Sequence, residues 1–272
     1  MKKRIFLVVL ALMVAMAFVG CGGADETSKQ SSEPSESKVE EQKELLIYCG
    51  VTMVRPMTEI AKIIEEQENC KITIEKGGSG GLLNKLKTDK TGDLYLPGSD
   101  SYINTLVEEE IIKEHVLVGY NKAAIFVQKG NPLNITSDLE NFTKEEYMVV
   151  IGNPESGSIG KETKKILDKK GIFEKVVANA SKLTNDSTEL LRVIKDKEVD
   201  LVINWYATSV WDDNPKDIDV LQIDEEYAKK KKLVVGLLKY SENPELAKIF
   251  MDYASSDAGK EIFNKYGLYD IK

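Results

Sequence analysis

LLIYCGVTMVRPMTEIAKIIEEQENCKITIEKGGSGGLLNKLK, residues 45–87, decides the fold class. Leu45 to Cys49 is an apolar run of strand length, turned by Gly50-Val51-Thr52. From Met53 to Gln67 the apolar residues Met53, Met57, Ile60, Ala61, Ile63 and Ile64 recur at helical spacing and predict an amphipathic helix. Lys71 to Glu75 carries Ile72 and Ile74 in alternation, a second strand, and Gly77-Gly78-Ser79-Gly80-Gly81 opens a second helix from Leu82 to Lys87. Asp93 to Leu96 reads as a third strand, followed by Gly98-Ser99-Asp100 and a helix through Leu106. Strand, glycine or hydroxyl turn, helix, three times over, is the pattern of a doubly wound α/β sheet, whose ligands lie at the carboxyl edge of the strands, where these turns collect.

Further along, Ala123 to Gln128 and Val149 to Gly152 predict two more strands, followed by helices over Lys161 to Lys170 and Thr188 to Lys197. Leu201 to Asn204 and Leu233 to Leu238 are apolar strands, and Pro244 to Tyr266 is helical throughout. A chain that makes one α/β set, crosses over, makes a second and returns gives two lobes. The expected division is residues 45–122 plus 240–272 for the first and 123–239 for the second, with ligand between them, a preferred place for pockets.

The N-terminus reads as an address. Lys2, Lys3 and Arg4 precede an apolar run from Ile5 to Val19 that ends at Gly20-Cys21. About 20 apolar residues are needed to span a bilayer, so this shorter run is a signal peptide over residues 1–20. Residues 21–44 are rich in Ser, Glu, Lys and Gln and nearly free of large apolar side chains, the composition of a disordered tether. Losing residues 1–20 removes three positive charges and takes the formal net charge from −8 to −11. Such acidity argues against nucleic acid, which needs a basic face. A small anion is still admissible, since helix N-termini and hydroxyls can hold one whatever the global charge.

Beyond Cys21 the cysteines are Cys49 and Cys70, one closing a predicted strand and the other opening its parallel neighbour. That placement sets them a strand length apart, beyond the ~7 Å a disulfide allows, so two free thiols are expected. One histidine, His115, and no Cys/His cluster leave no basis for a zinc site, and no cofactor is expected.

Two motifs suggest enzymes and fail on chemistry. Gly77-Gly78-Ser79-Gly80-Gly81 fits the hydrolase elbow, but the only histidine, His115, lies 36 residues on beside Glu108-Glu109-Glu110, where a solvated surface residue is expected. Gly157-Ser158-Ile159-Gly160-Lys161 resembles a phosphate loop, yet Glu155 stands at the leading glycine and Glu162 where magnesium needs a hydroxyl. The run Lys229 to Lys232 reads as a solvated face.

Phe18-Val19-Gly20-Cys21 resembles the lipobox of bacterial lipoproteins, with Phe18 in place of the usual Leu, and implies diacylation of Cys21. Asn243 to Gly267 resembles the closing helices of periplasmic molybdate-binding proteins, and Val127 to Pro132 and Ile151 to Ser158 are similar in kind. The resemblance runs from about Leu45 to Lys272 and implies a type 2 periplasmic-binding clamshell, lipid-anchored on the extracytoplasmic face of the cell membrane. It further implies a monomer that hands a tetrahedral oxyanion, molybdate or tungstate, to an ABC importer permease. The family's hydroxyl positions fall on Thr52 and Ser79, and its amide donors on the turns at Ser158-Ile159 and Ser187-Thr188. Its aromatic hydroxyl falls on Trp205 without a gap and on Tyr206 with a one-residue slip.

The residues support the same site independently. Thr52 and Ser79 each open a predicted helix directly after a strand, so hydroxyls and free N–H groups gather at the positive ends of two helix dipoles. The structural alternative is that both are only N-caps. Two other functions stay open: an organic carboxylate or phosphorylated ligand, for which Arg55 is the candidate partner, and a surface adhesin or sensor without transport.

Overall fold

The computed structural model describes residues 42–212 and 214–269. In chain order the first elements are β1 (Glu44–Gly50), α1 (Val54–Glu68), β2 (Lys71–Gly77), α2 (Ser79–Asp89), β3 (Leu94–Leu96), α3 (Asp100–Glu108) and β4 (Ile112–Asn121). The chain then makes β5 (Ala123–Gln128), β6 (Val149–Gly152), α4 (Ser158–Lys170), α5 (Phe173–Asn179), β7 (Ala180–Thr184), α6 (Ser187–Lys195), β8 (Leu201–Trp205), α7 (Asn214–Asp217) and β9 (Ile218–Gln222). It returns through β10 (Lys231–Leu238) to α8 (Pro244–Ser255) and α9 (Asp257–Lys265).

Two five-stranded sheets result, β2-β1-β3-β10-β4 and β7-β6-β8-β5-β9. They share one plan. Three strands are parallel, the fourth runs antiparallel and enters directly from the other lobe, and a fifth closes the edge. The fold is the expected two-lobed α/β clamshell, with mixed rather than purely parallel sheets.

α1 shows how the first lobe closes. Met57, Ile60, Ala61 and Ile64 share one helical face and are buried with β1, β3, α8 and α9. Burying a side chain of this size contributes roughly 1.5–3 kcal/mol, so this stripe anchors the helix whose first turn faces the site. The helix stops at Asn69, which takes a left-handed backbone conformation. The opposite face of the same sheet is filled by α2 and α3 through Leu82, Leu86, Ile103 and Leu106. The second lobe has its own core, built on β5, β6 and β8 and sealed by Ile166, Leu190, Ile194 and Trp205.

The structure moves one boundary. β10 was expected in the second lobe but lies in the first sheet, paired antiparallel with β3 and β4, so the return crossing falls between Gln222 and Lys231 rather than near residue 240. Its buried stretch Leu233 to Leu238 suits the middle of either sheet, and apolarity alone does not choose between them. β4, β7 and β9 were not anticipated, and the C-terminal helical stretch divides at Ser256, whose hydroxyl accepts from the Gly259 N–H at 3.2 Å and caps α9. Cys49 and Cys70 are free and buried at opposite ends of the β1–β2 pair. His115 lies exposed on β4. The expected signal peptide, Cys21 and most of the expected tether fall outside the described residues. Among the described residues no helix is long and apolar enough to cross a membrane.

Candidate functional site

Helices that begin after a strand present their first N–H groups at the strand's carboxyl end, and those groups have no partner within the helix. Some of the helices here supply one from a side chain: Ser99 caps α3, Asp186 caps α6 and Ser256 caps α9. The short 3-10 turn Val51–Met53 leading into α1, and the helices α2 and α4, begin instead after Gly50, Gly78 and Gly157 with no side-chain cap. All three uncapped starts line a single cavity between the lobes, with about 220 Å³ of empty space.

The first lobe brings Thr52, Ser79, Gly78 and Gly98 to this cavity, and the second brings Ser158, Ile159, Asp186 and Ser187. Thr52 and Ser79 are almost completely buried. Ser79 is fixed from behind, its hydroxyl oxygen accepting from the Gly98 N–H at 3.0 Å and its carbonyl from the Tyr95 hydroxyl at 2.7 Å. The proton of the Ser79 hydroxyl is thereby left to donate into the cavity. Ser158 is held in the same way: its hydroxyl oxygen accepts from the indole N–H of the fully buried Trp205 at 3.2 Å. The N–H groups of Ser158, Ile159 and Ser187 meet no acceptor among the described residues, as first-turn amides.

The lobes touch closely around the cavity. The Ser156 carbonyl accepts from the N–H groups of Gly80 and Gly81, at 3.2 and 3.3 Å. A Cβ on Gly78 would lie 2.6 Å from the Ser156 oxygen and 2.9 Å from that of Asn185, and one on Gly98 2.2 Å from Ser158 Oγ. Glycine is therefore required at both positions by the approach of the opposite lobe. Farther out, Lys161 of α4 sits 4.7 Å from the Tyr102 ring of α3.

No lysine, arginine or histidine lines the cavity among the described residues, so what it can offer an anion is amide dipoles and hydroxyls. The one formal charge at its rim is the Asp186 carboxylate, whose Oδ1 accepts from the N–H groups of Thr188 at 2.7 Å and Glu189 at 3.2 Å. Arg55 lies outside, in an adjoining cleft, bound to Asp212. Glu162, at the magnesium position of the phosphate-loop reading, is buried and paired with Lys231 at 3.0 Å; burial pushes its carboxyl up despite the lysine. Burial likewise pushes the Cys49 thiol up, which leaves it unreactive.

Of the residues singled out from sequence, Thr52, Ser79, Ser158 and Ile159 come together in the cavity. Thr188 and Tyr206 do not line it. Asp186 has taken the Thr188 amide, so the amide α6 offers is that of Ser187, and Thr188 faces the adjoining cleft. Tyr206 opens a 3-10 turn beyond β8 and is half-buried near Gly267. Trp205 stands behind Ser158 rather than in the lining. Sequence reasoning passed over Gly98 and Asp186. Gly98 follows the third strand at the same kind of corner as Thr52 and Ser79, and Asp186-Ser187-Thr188-Glu189 has capping-box spacing.

Comparison with known proteins bears on the fold and the family. A Haemophilus influenzae binding protein is 24% identical over 233 residues, spanning 84% of this chain and 92% of its own. The Bacillus subtilis ABC transporter substrate-binding lipoprotein YvgL is 27% identical over 275 residues, spanning 98% of both chains. The periplasmic molybdate-binding protein of Azotobacter vinelandii superposes with a TM-score of 0.72 at 13% identity, covering 84% of this chain and all of its own. Similar TM-scores relate the fold to the Mycobacterium tuberculosis sulfate-binding protein SubI and to a thiamin-binding protein. A family model of bacterial extracellular solute-binding proteins matches residues 45–269, and the chain belongs to that family.

Proposed function

We propose that the protein captures a tetrahedral oxyanion, molybdate or tungstate before others, and delivers it to the permease of an ABC importer as a monomer. The observation that carries this reading is the interlobe cavity. Its hydroxyls and first-turn amides come from both lobes and converge on one enclosed spot. An anion bridging Thr52 and Ser79 on one side and Ser158, Ile159 and Ser187 on the other stabilises the closed state by its differential affinity for it. Catalysis has no part in this. The names of related folds, molybdate, sulfate and thiamin binders among them, span several ligand classes, and it is the cavity's lining of hydroxyls and backbone amides that favours a small oxyanion here. An organic carboxylate would need an arginine in the cavity, and Arg55 is engaged with Asp212 outside it.

Calorimetry with molybdate, tungstate, sulfate, phosphate and citrate tests the proposal. One tetrahedral oxyanion should bind tightly. Thr52→Ala and Ser79→Ala should each weaken it by about 1–3 kcal/mol, the cost of a lost hydrogen bond to a charged group. Heat from citrate alone, or unchanged affinity in both variants, would retire this site. The protein is also proposed to be anchored through acylated Cys21, which the relation to the lipoprotein YvgL supports. Labelled palmitate should then enter the wild-type chain and not Cys21→Ser, and equal labelling of the two would refute the anchor.

A further inference from the structure

Outside the cavity, a second cleft opens between the lobes, with about 750 Å³ of empty space. Val51, Gly77 and Asp186 belong to both spaces, so the cleft is the vestibule of the cavity. Across it reaches Arg55, on the first turn of α1 in the first lobe. Its Nη1 donates to Asp212 Oδ1 at 2.7 Å, its Nη2 donates to Oδ2, and its Cζ stands 4.8 Å from the centre of the Trp211 ring. Trp211 is buried in the core of the second lobe, and Asp212 follows it in a left-handed backbone conformation. The guanidinium of one lobe is therefore gripped by a carboxylate and an aromatic face of the other, from residues 157 positions apart.

We propose that Arg55, Trp211 and Asp212 form an interlobe clasp that biases the protein toward closure before any ligand arrives and slows ligand release afterwards. An isolated exposed ion pair contributes little, because two flexible side chains must be ordered in water. This pair differs in two respects: the guanidinium meets the carboxylate through two parallel hydrogen bonds, and the aromatic ring fixes its plane. Separating the lobes breaks all of these contacts together. The clasp favours the closed arrangement over the open one, so it raises the fraction of empty protein that is ready to hold an anion. Arg55 and Asp212 are positioning residues: neither lines the inner cavity.

The test reads closure without a ligand and release with one. Spin labels at Leu117→Cys on β4 and Leu183→Cys on β7, both exposed, report the interlobe distance of the full chain in anion-free buffer. Arg55→Ala and Asp212→Asn should shift that distance to longer values, and the swapped pair Arg55→Glu with Asp212→Lys should bring it back. Stopped-flow release of molybdate should become roughly three- to tenfold faster in the single variants and recover in the swap. Distances that do not move, or a swapped pair no better than either single variant, would overturn the clasp. Should molybdate fail to bind even the wild type, the oxyanion proposal falls, and the distance measurement still decides the clasp.

Discussion

The two lobes are built on one plan and meet the cavity with different chemistry. Each sheet has three parallel strands, a crossing antiparallel strand and an edge strand. The first lobe sends three strand-to-helix corners to the cleft, at Thr52, Ser79 and Gly98, and the second sends two, at Ser158 and Ser187. In the first lobe two of the corners, at Thr52 and Ser79, offer a hydroxyl, and each belongs to a helical start that follows a glycine with no side-chain cap. In the second lobe only α4 does so; α6 is capped by Asp186, which leaves Ser187 alone with a first-turn amide to give. At the cavity, the starts at Gly50, Gly78 and Gly157 thus leave their first amides to a bound anion, and α6 gives most of its own to Asp186. The first lobe brings its donors to the cavity on glycines shaped to the surface of the second, and the second answers with backbone carbonyls.

The strongest way to break this comparison is to spoil the fit between the lobes while leaving each intact. Gly78 has an extended backbone conformation that alanine adopts freely, and the atoms an added methyl would strike are the carbonyl oxygens of Ser156 and Asn185 in the other lobe. Gly78→Ala should leave the melting temperature of the empty protein nearly unchanged and weaken anion binding by about 1–3 kcal/mol, the usual cost of overpacking. Gly81 supplies the control three positions along. A methyl there meets nothing within 4 Å, so Gly81→Ala should bind like the wild type. Equal affinities for the two variants in calorimetry would mean that the observed closure is not the binding state.

How much of this was legible beforehand follows the same physics. The first three strands and their helices could be read because they are buried or amphipathic, and their apolar spacing is set by the core they face. The strands that escaped, β4, β7 and β9, all lie at sheet edges. There one side of the ladder is open to water, and polar residues such as Lys113, Glu114, Ser181 and Lys182 stand in place of an apolar alternation. Of the cavity, the corners with a hydroxyl were legible because a Thr and a Ser each stand where a predicted strand turns into a predicted helix, a place that serves a cap or a ligand equally, and two such corners fall at one sheet edge. Gly98 and the Trp205–Ser158 hydrogen bond were not, since each depends on what the opposite lobe or a distant strand presents. The placement of β10 was hidden for the same reason: the residues specify a buried strand, and the choice of sheet is made by connections elsewhere.

Asp186 sharpens the contrast between the lobes most finely, because its carboxylate both caps α6 and sets a negative charge at the cavity rim. The two roles separate by substitution. Asparagine caps a helix about as well as aspartate, so Asp186→Asn should keep α6 and its Ser187 amide in place. Removing one negative charge near a dianion, at the effective dielectric of a partly exposed site, favours binding by on the order of 1 kcal/mol. Calorimetry should therefore find the asparagine variant binding the oxyanion several-fold more tightly, with an unchanged melting temperature. Asp186→Ala, which loses the cap as well, should lower stability by about 0.5–2 kcal/mol. Weaker binding by the asparagine variant would mean that the carboxylate accepts a proton carried by the ligand. The two lobes would then divide the work as acceptor and donor, and a hydrogen-bearing anion would replace molybdate as the preferred guest.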